Sequence, residues 1–292
     1  MRISLDCKTK VFALALGLTL PALVLPWAAA AQSEDIIPTE AVFDPANFVD
    51  PATNVDGYHP TRPGMQWIRA GTTEVGSRKV PHMAISTITD VYRTIEGVPC
   101  VAMLDQSTDN GEISQVGFDY MAVDKAGNVW ILGGYTEEFE GGTFTNVEDA
   151  YLGRATGGMF GILTPAVVTM DTPRWLIGTP GPEEDPSVGE PVEIGIDLTV
   201  AYGTFHDVRA IREGGINAPD NEIKYYASGV GVVLNVPRIK SLHQDSFELV
   251  NFIDLSPEGL AEASQVVLDL EAHARIVAPE VYADAPLAER HP

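Results

Sequence analysis

Short apolar runs and alternating patterns, separated by turn residues, fill the chain from residue 65 to 255. Successive side chains of a strand point to opposite faces, so alternation over 4–8 residues indicates a half-buried strand. The run 98–104 (VPCVAML) is continuously apolar, which is typical of a strand buried on both faces. The clearest alternation, over 82–92, would place on one face Met83, Ile85, Thr87, Thr89 and Val91.

Turn signals lie between these runs. The stretch 124–128 (DKAGN) carries a Gly-Asn pair that suits the positive φ angles of a tight hairpin. The glycine-rich stretch 141–161 and the proline-rich stretch 172–191 predict irregular loops. The pattern therefore predicts a mainly β fold, an open or half β-barrel of about eight to ten short antiparallel strands, in a domain spanning 65–255.

One helix is predicted after this domain. Ser256 is a favourable N-cap, Pro257 suits the first helical position, and Glu258 places negative charge in the first turn. Pro279 is expected to end the helix, so we predict a C-terminal helix over 256–278 and a loose tail over 279–292. The apolar positions that repeat at helical spacing are Leu260, Ala263, Val267, Leu270 and Ala274.

The first 31 residues have the pattern of a secretory signal peptide. A basic start precedes an apolar run over 11–27, and the small residues 28–31 suit cleavage. Pro21 and Pro26 interrupt the run, which is short for a bilayer-spanning helix. We therefore expect an exported protein, periplasmic or extracellular, without a membrane span.

The next segment, 32–64, is rich in proline, aspartate and asparagine. Its prolines disfavour a regular element, so we expect an extended arm that packs over the domain. The aromatic residues available for that packing are Phe43, Phe48 and Tyr58.

Charge and cysteine content limit the partners and the covalent structure. The 292-residue chain has a net charge of −23, and such a surface repels phosphate backbones, so nucleic acid is excluded as a partner. The acidic surface favours a role in solubility or salt adaptation, with capture of a cation or a basic partner as the alternative. Because Cys7 would leave with the signal peptide, Cys100 remains alone and no intramolecular disulfide is expected. Cys100 lies in an apolar run, which predicts a small buried hydrophobe.

Two neighbouring motifs carry a resemblance. Residues 201–208 (AYGTFHDV) and 222–233 (EIKYYASGVGVV) resemble the GTFxDV and KYYAxGVG motifs of a family of uncharacterised bacterial secreted proteins. Segments 58–64, 87–98 and 124–133 are similar to further motifs of that family. A shorter form of the second motif also occurs in half-barrel domains similar to the periplasmic lipoprotein carriers. The resemblance implies a secreted β-rich fold but no activity, and His59 and Gly134 depart from the family pattern.

The second motif also has a direct physical interpretation. Glycines within a strand mark a bend, which could curl the sheet around a ligand or simply shape it. We therefore predict a small apolar ligand or a protein partner in the curled sheet. The candidate ligand-binding residues are Phe205, Tyr225, Tyr226, Gly229 and Gly231.

Motifs for catalysis are weak. HxH, HExxH, CxxC, GxSxG and SxxK patterns are all absent from the sequence. His206 beside Asp207 could form a general base, with His82 as a further catalytic candidate, in a hydrolase or metal-assisted enzyme. Adjacent strand residues, however, point to opposite faces, which argues against that pair. The candidate metal ligands are His59, His82 and His206.

An acidic stretch could hold calcium. Residues 105–112 (DQSTDNGE) cluster carboxylates, which calcium prefers, but their spacing departs from that of an EF-hand loop. A solvated hairpin turn is the alternative. The candidate calcium ligands are Asp105, Asp109 and Glu112.

These features favour an exported, non-enzymatic binding protein. The alternatives are a secreted hydrolase or metal-assisted enzyme and a calcium-stabilised structural protein. No cofactor is predicted, although a metal ion remains open.

Overall fold

The computed structural model describes residues 38–291, apart from 39, 155–156, 180, 182–184, 217, 219–220 and 240–244. The predicted signal peptide lies outside the described residues, and so does His243. The described residues belong to one compact unit. Their strands are β1 (Phe48–Val49), β2 (Met65–Val75), β3 (Arg78–Ile95), β4 (Val98–Asp109), β5 (Glu112–Asp124), β6 (Val129–Glu140), β7 (Thr143–Leu152), β8 (Met159–Thr164), β9 (Trp175–Thr179), β10 (Ser187–Val200), β11 (Gly203–Gly215), β12 (Glu222–Ala227), β13 (Gly231–Pro237), β14 (Ser246–Asp254) and β15 (Glu289–Arg290). Their α-helices are α1 (Pro257–Val277) and α2 (Pro279–Tyr282).

Twelve of the described strands form a closed antiparallel barrel. The order around the barrel is β5-β4-β3-β2-β14-β13-β12-β11-β10-β9-β8-β6, and β6 pairs again with β5 to close it. The outer edge of β6 pairs first with β8 and then with β7. Strands β1 and β15 add to β5 and β3 outside the ring. The mainly β fold with a C-terminal helix is confirmed, but the expected open or half-barrel of eight to ten short strands is corrected to a closed barrel of twelve.

The extra strands come from segments that the sequence analysis assigned to loops. Strands β7 and β8 lie within or beside the glycine-rich stretch 141–161, and β9 lies within the proline-rich stretch 172–191. Gly161 shows why glycine is compatible with a strand here. A Cβ atom at Gly161 would lie 2.3 Å from the carbonyl oxygen of Leu176, so the glycine permits close approach of β8 to β9.

Strand β4 is buried on both faces, which explains its continuous apolar sequence. Val101 belongs to the apolar cluster inside the barrel, and Met103 packs against that cluster. The alternate residues face a second cluster beneath α1, where Cys100 is a free, fully buried thiol. These outward-facing residues of β4 are Val98, Cys100, Ala102 and Leu104.

Helix α1 covers the outside of β3, β4 and β5. Ser256 is its N-cap, and the Ser256 hydroxyl accepts a hydrogen bond from the Gly259 amide at 3.2 Å. Pro257 occupies the first turn, where its missing N–H has no cost. The apolar stripe of α1 is buried on the barrel through Val267, Leu270 and Ala274.

The C-terminal tail, expected to be loose, is instead ordered against the barrel. Pro279 stands in the first turn of α2 and so begins a helix as well as following one. Tyr282 is fully buried, and its hydroxyl donates to the Gly134 carbonyl at 2.8 Å. Strand β15 then pairs with β3, and Arg290 donates to Asp90 through two bonds of 2.8 Å.

The arm before the barrel also contains regular turns. Two short 3₁₀ helices, Pro45–Asn47 and Pro51–Thr53, each begin at a proline that follows a capping aspartate. Proline is compatible with such a first turn, which is why the prolines do not exclude these elements. Between the two helices, β1 pairs with β5.

Candidate ligand-binding cavity

The inside of the barrel changes from apolar to polar along its strands. On β2, Met65 and Trp67 are followed on the same face by Arg69. On β4 the inward positions run from Val101 and Met103 to Asp105, which lines the polar half. The apolar half is filled with side chains, whereas the polar half holds a cavity.

This cavity has a volume of about 370 Å³. Its wall combines apolar side chains, two basic side chains and several carboxylates. The residues that line it are His59, Pro60, Trp67, Arg69, His82, Ala84, Ser86, Met103, Asp105, Ser107, Gln115, Asp119, Met121, Ile131, Leu163, Lys224, Tyr226, Gly231, Val232, Asp245 and Phe247.

In one wall, consecutive hydrogen bonds connect polar side chains of β2, β3 and β4. Arg69 Nη1 donates to the Ser86 hydroxyl at 2.9 Å, and Arg69 Nε donates to the Val232 carbonyl at 2.9 Å. Ser86 in turn donates to the Asp105 carboxylate. Burial lowers the pKa of Arg69 to about 10. Burial also raises the pKa of Asp105, but the hydrogen bond from Ser86 and the positive charge of Arg69 oppose that increase. Arg69 therefore remains a cation at neutral pH.

A second basic group, Lys224 on β12, is paired within the protein. Its ammonium lies 3.1 Å from Glu213 and 3.9 Å from Glu222. The charge of Glu213 is the main reason why the pKa of Lys224 is raised. Tyr226 also donates its hydroxyl to Glu213. The positive charge of Lys224 is thus neutralised by its neighbours.

The carboxyl group of Asp119 on β5, in contrast, has no ion-pair or hydrogen-bond partner in the described part of the chain. Among the described residues, no side chain or amide donates a hydrogen bond to its carboxyl group, and no cation lies within ion-pair distance of it. Burial raises the pKa of Asp119 to about 8, and the charges of Asp105 and Asp149 add to that effect. Lys224 opposes the shift. Asp119 is therefore largely protonated at neutral pH.

His59 adds a second polar group without a partner. Its Nδ1 atom is buried and forms no hydrogen bond with the described residues. Burial lowers the pKa of His59 to about 3, and the positive charges of Arg69 and Lys224 act in the same direction. The ring is therefore neutral and offers one acceptor nitrogen and one donor nitrogen.

His82 and acidic groups stand at the mouth of the cavity. His82 Nδ1 lies 2.7 Å from Asp109 Oδ1, and His82 Nε2 lies 3.5 Å from Asp245 Oδ2. A shallow surface hollow beside the mouth contains these residues together with Glu138 and Glu140. The entrance is therefore acidic.

The predicted ligand-binding residues are only partly brought together. Tyr226 and Gly231 line the cavity. Tyr225 and Phe205 pack against the inner apolar cluster, and Phe205 also stacks on Tyr202 at a centroid distance of 6.3 Å. Gly229 has φ +70° in the turn after β12, where its conformation forms the turn and does not border the cavity.

The candidate catalytic and metal residues are dispersed. His59 and His82 line the cavity, whereas the ring of His206 is 75% exposed on β11 and lies 2.7 Å from Asp197. Asp207 has φ +55° and is bonded by the Tyr58 hydroxyl. Within the described ranges, no group of three or more His, Cys, Asp or Glu side chains is arranged to hold a metal ion.

The candidate calcium ligands do not converge. Asp105 and Asp109 belong to β4, four residues and hence about 13 Å apart along the strand. Asp105 accepts from Ser86 inside the barrel, Asp109 pairs with His82 at the mouth, and Glu112 is exposed. The stretch is the end of β4 and a hairpin turn.

Several residues of the cavity were missed from the sequence, among them Asp119, Lys224 and Arg69. Asp119 and Lys224 are charged residues inside strands, and Arg69 follows an apolar alternating pattern. A charge on the inward face of a half-buried strand is an available signal for such positions. That these residues line one cavity follows only from the strand pairing of the closed barrel.

Comparisons with known proteins do not assign this cavity. No family model matches the chain, and no curated protein matches it. A candidate lipoprotein from Parabacteroides distasonis matches with 12% identity and a TM-score of 0.28, over 69% of this chain and 100% of that chain. A candidate exported protein with a YmcC-like fold from Bacteroides fragilis matches with 13% identity and a TM-score of 0.29, over 68% of this chain and 99% of that chain. Values at this level establish neither a shared fold nor a shared function.

Among residues with a described structure, no helix combines the length and the apolar character needed to cross a bilayer.

Proposed function

We propose that this protein is a non-enzymatic, exported binding protein that holds a small molecule inside its barrel. The observation that carries the proposal is the cavity of about 370 Å³ in the polar half of the barrel. Its volume falls within the range of small-molecule sites, which are concave and few per protein. Export rests on the signal-peptide pattern of residues 1–31.

The polar groups of the cavity support a ligand over a purely structural interior. Buried polar groups are expensive unless they are hydrogen-bonded. The Asp119 side chain borders the cavity, and no hydrogen bond or ion pair connects its carboxyl group to another described residue. A bound molecule with a polar group would supply that partner.

The lining also indicates the chemical character of the ligand. The sequence predicted an apolar ligand, and the half-buried side chains of Met103, Ile131 and Leu163 provide an apolar surface for one part of it. Arg69 and Asp119 border the same cavity, so a second part of the ligand meets charged groups. The lining favours an amphiphilic small molecule with an apolar body and a polar head.

Isothermal titration calorimetry tests the proposal with three probes of one shape: 2-phenylethylamine, 2-phenylethanol and phenylacetate. We expect at least one of them to bind the full-length protein with a stoichiometry of one. The cavity-filling variant Ala84→Phe should abolish binding, because Ala84 lines the cavity. The control Met83→Phe should retain it, because Met83 is the neighbouring residue and is 37% exposed on the surface.

Circular dichroism and thermal melting verify that both variants fold. If none of the three probes binds, or if binding persists unchanged in a folded Ala84→Phe variant, the proposed cavity function is wrong.

A further inference from the structure

The cavity wall carries two basic groups and three carboxyl groups, but they are not equally compensated. Lys224 lies 3.1 Å from Glu213 and 3.9 Å from Glu222. Arg69 is connected to Asp105 through the hydroxyl of Ser86. Asp119 is the exception, since no described residue bonds or pairs with its carboxyl group. Asp119 is therefore the charged-residue side chain of the cavity that lacks a partner among the described residues, and its negative charge would be uncompensated once it ionises.

We propose that the ligand of the cavity is a small organic cation, a protonated amine on an apolar body, and that Asp119 binds its ammonium group. This inference rests on the proposed binding function and adds the chemical class of the ligand. An ammonium donates up to three hydrogen bonds, which suits acceptor groups without donors. A hydrogen bond between charged groups is also shorter and stronger than a neutral one.

His59 is compatible with the same class. Its ring lines the cavity that Asp119 borders. Burial, together with the positive charges of Arg69 and Lys224, lowers the pKa of His59 to about 3, so the ring is neutral and does not repel a cation.

The surroundings of Asp119 position the apolar body. Met103 lies directly opposite Asp119 in the β4–β5 register, and Met121 follows Asp119 on the same face of β5. Trp67 also belongs to the cavity wall, where its ring stacks on Phe252 and meets the guanidinium of Arg69. A head bound at Asp119 therefore places its carbon skeleton against the apolar half of the barrel.

The entrance favours cations as well. Asp109 and Asp245 flank His82 at the mouth, and Glu138 and Glu140 lie in the adjoining hollow. Clefts with charges of one sign concentrate ions of the opposite sign and accelerate their entry. The net charge of −23 over the whole chain acts in the same direction.

Binding of a cation must ionise Asp119, which gives a second readout. The groups that act on its carboxyl are Asp105 on β4, Asp149 on β7 and Lys224 on β12, and Tyr151 on β7 lies beside it. In the empty cavity the pKa of Asp119 is about 8, so an amine that binds at pH 7 displaces a proton. Affinity for the amine should therefore increase roughly five- to tenfold between pH 7.0 and 8.5.

The experiment compares the same three probes with the full-length wild type and with Asp119→Asn at pH 8.5. We expect 2-phenylethylamine to bind wild type about tenfold or more tightly than 2-phenylethanol, and phenylacetate to bind weakest. In Asp119→Asn the affinity for the amine should fall to that for the alcohol, whose affinity should stay within about twofold. The control Asp284→Asn, at an exposed carboxyl far along the chain in the C-terminal tail, should leave all three affinities unchanged.

Calorimetric titrations at pH 7 in buffers with different ionisation enthalpies measure how many protons are released when the amine binds. Wild type should release close to one proton for each amine bound, and Asp119→Asn should release none.

The outcomes separate this inference from the binding function itself. If the alcohol or phenylacetate binds wild type as tightly as the amine, and Ala84→Phe still abolishes that binding, the cavity function holds and the cation preference is wrong. If the amine is preferred equally by wild type and Asp119→Asn, the assignment of Asp119 is wrong. If no probe binds, the binding function fails together with the inference.

Discussion

Arg93 of β3 and Glu271 of α1 form a salt bridge beneath the helix, and their side chains are only 2% and 4% exposed. Tyr120 of β5 also donates its hydroxyl to Glu271, so the carboxylate joins the helix to two strands. Arg93 Nη1 further donates to the Pro286 carbonyl of the C-terminal tail. One buried pair thus connects barrel, helix and tail.

Removal of one member of this pair should strongly destabilise the protein. In Glu271→Gln the guanidinium of Arg93 would remain buried without a countercharge, which costs about 3–5 kcal/mol of the free energy of unfolding. Chemical denaturation measures this loss. The matched control is Asp254→Asn, which breaks the exposed pair Arg62–Asp254, with side chains 40% and 67% exposed. The control should lose less than about 1 kcal/mol. Equal losses in both variants would contradict this role of the buried pair.

Asp119 should make the stability of the ligand-free protein fall as pH rises. Its pKa is about 8 in the folded state, against an ordinary value of 3.8 for an aspartate side chain. Between these two values the folded state binds more protons than the unfolded state, so the free energy of unfolding decreases with increasing pH and levels off above pH 8. Asp119→Asn keeps the neutral form, so it should match wild type near pH 4 and be more stable at pH 8. We expect a gain of roughly 1–3 kcal/mol at pH 8, because water that enters the cavity reduces the full effect.

Denaturation of both proteins at several pH values between 4 and 9 measures the difference. Asp284→Asn changes an exposed carboxyl group, so its free energy of unfolding should differ from that of wild type by the same small amount at every pH. A stability difference between Asp119→Asn and wild type that does not change with pH would show that the Asp119 carboxyl does not titrate in this window.

The sequence predicts the elements whose signals are local. The N-cap Ser256, with Pro257 in the first turn, defines the start of α1, and the alternation over 82–92 lies within β3. Closure of the barrel depends on a pairing that no local signal specifies. Strand β6 meets β8 through only a few residues, Val129–Ile131 of β6, and β8 lies in a segment whose glycines resemble a loop.

The cavity could be predicted only in part for the same reason. Tyr226 and Gly231 were identified because glycine and aromatic residues stand out in a strand. Asp119 and Arg69 are visible in the sequence as charges within apolar patterns, yet the same charges would face solvent if the sheet were open. The tail was misassigned because Pro279 can either end one helix or begin the next, and the burial of Tyr282 decides between these outcomes.

The docked tail should contribute substantially to stability. Tyr282 packs on Phe118 and Tyr135 with ring centroids 6.2 and 5.7 Å apart, and its hydroxyl bonds to the Gly134 carbonyl. Tyr282→Ala removes a fully buried aromatic side chain, which should cost about 3–5 kcal/mol. Leu287→Ala is the control, because Leu287 belongs to the same tail but is 71% exposed, and it should change stability by less than about 0.5 kcal/mol. A melting temperature of Tyr282→Ala equal to that of Leu287→Ala would mean that the tail is not docked.

Gly161 tests the closure of the barrel at β8 and β9. A Cβ atom there would lie 2.3 Å from the Leu176 carbonyl oxygen and 2.5 Å from the Ile177 carbonyl carbon and oxygen, and these backbone atoms cannot move without separating the strands. Gly161→Ala should therefore destabilise the protein by about 1–3 kcal/mol. The control is Gly203→Ala, since a Cβ atom at Gly203 meets no atom within 4 Å. It should change stability by less than about 1 kcal/mol. Thermal and chemical denaturation measure both, and a Gly161→Ala variant as stable as Gly203→Ala would show that β8 and β9 do not approach this closely.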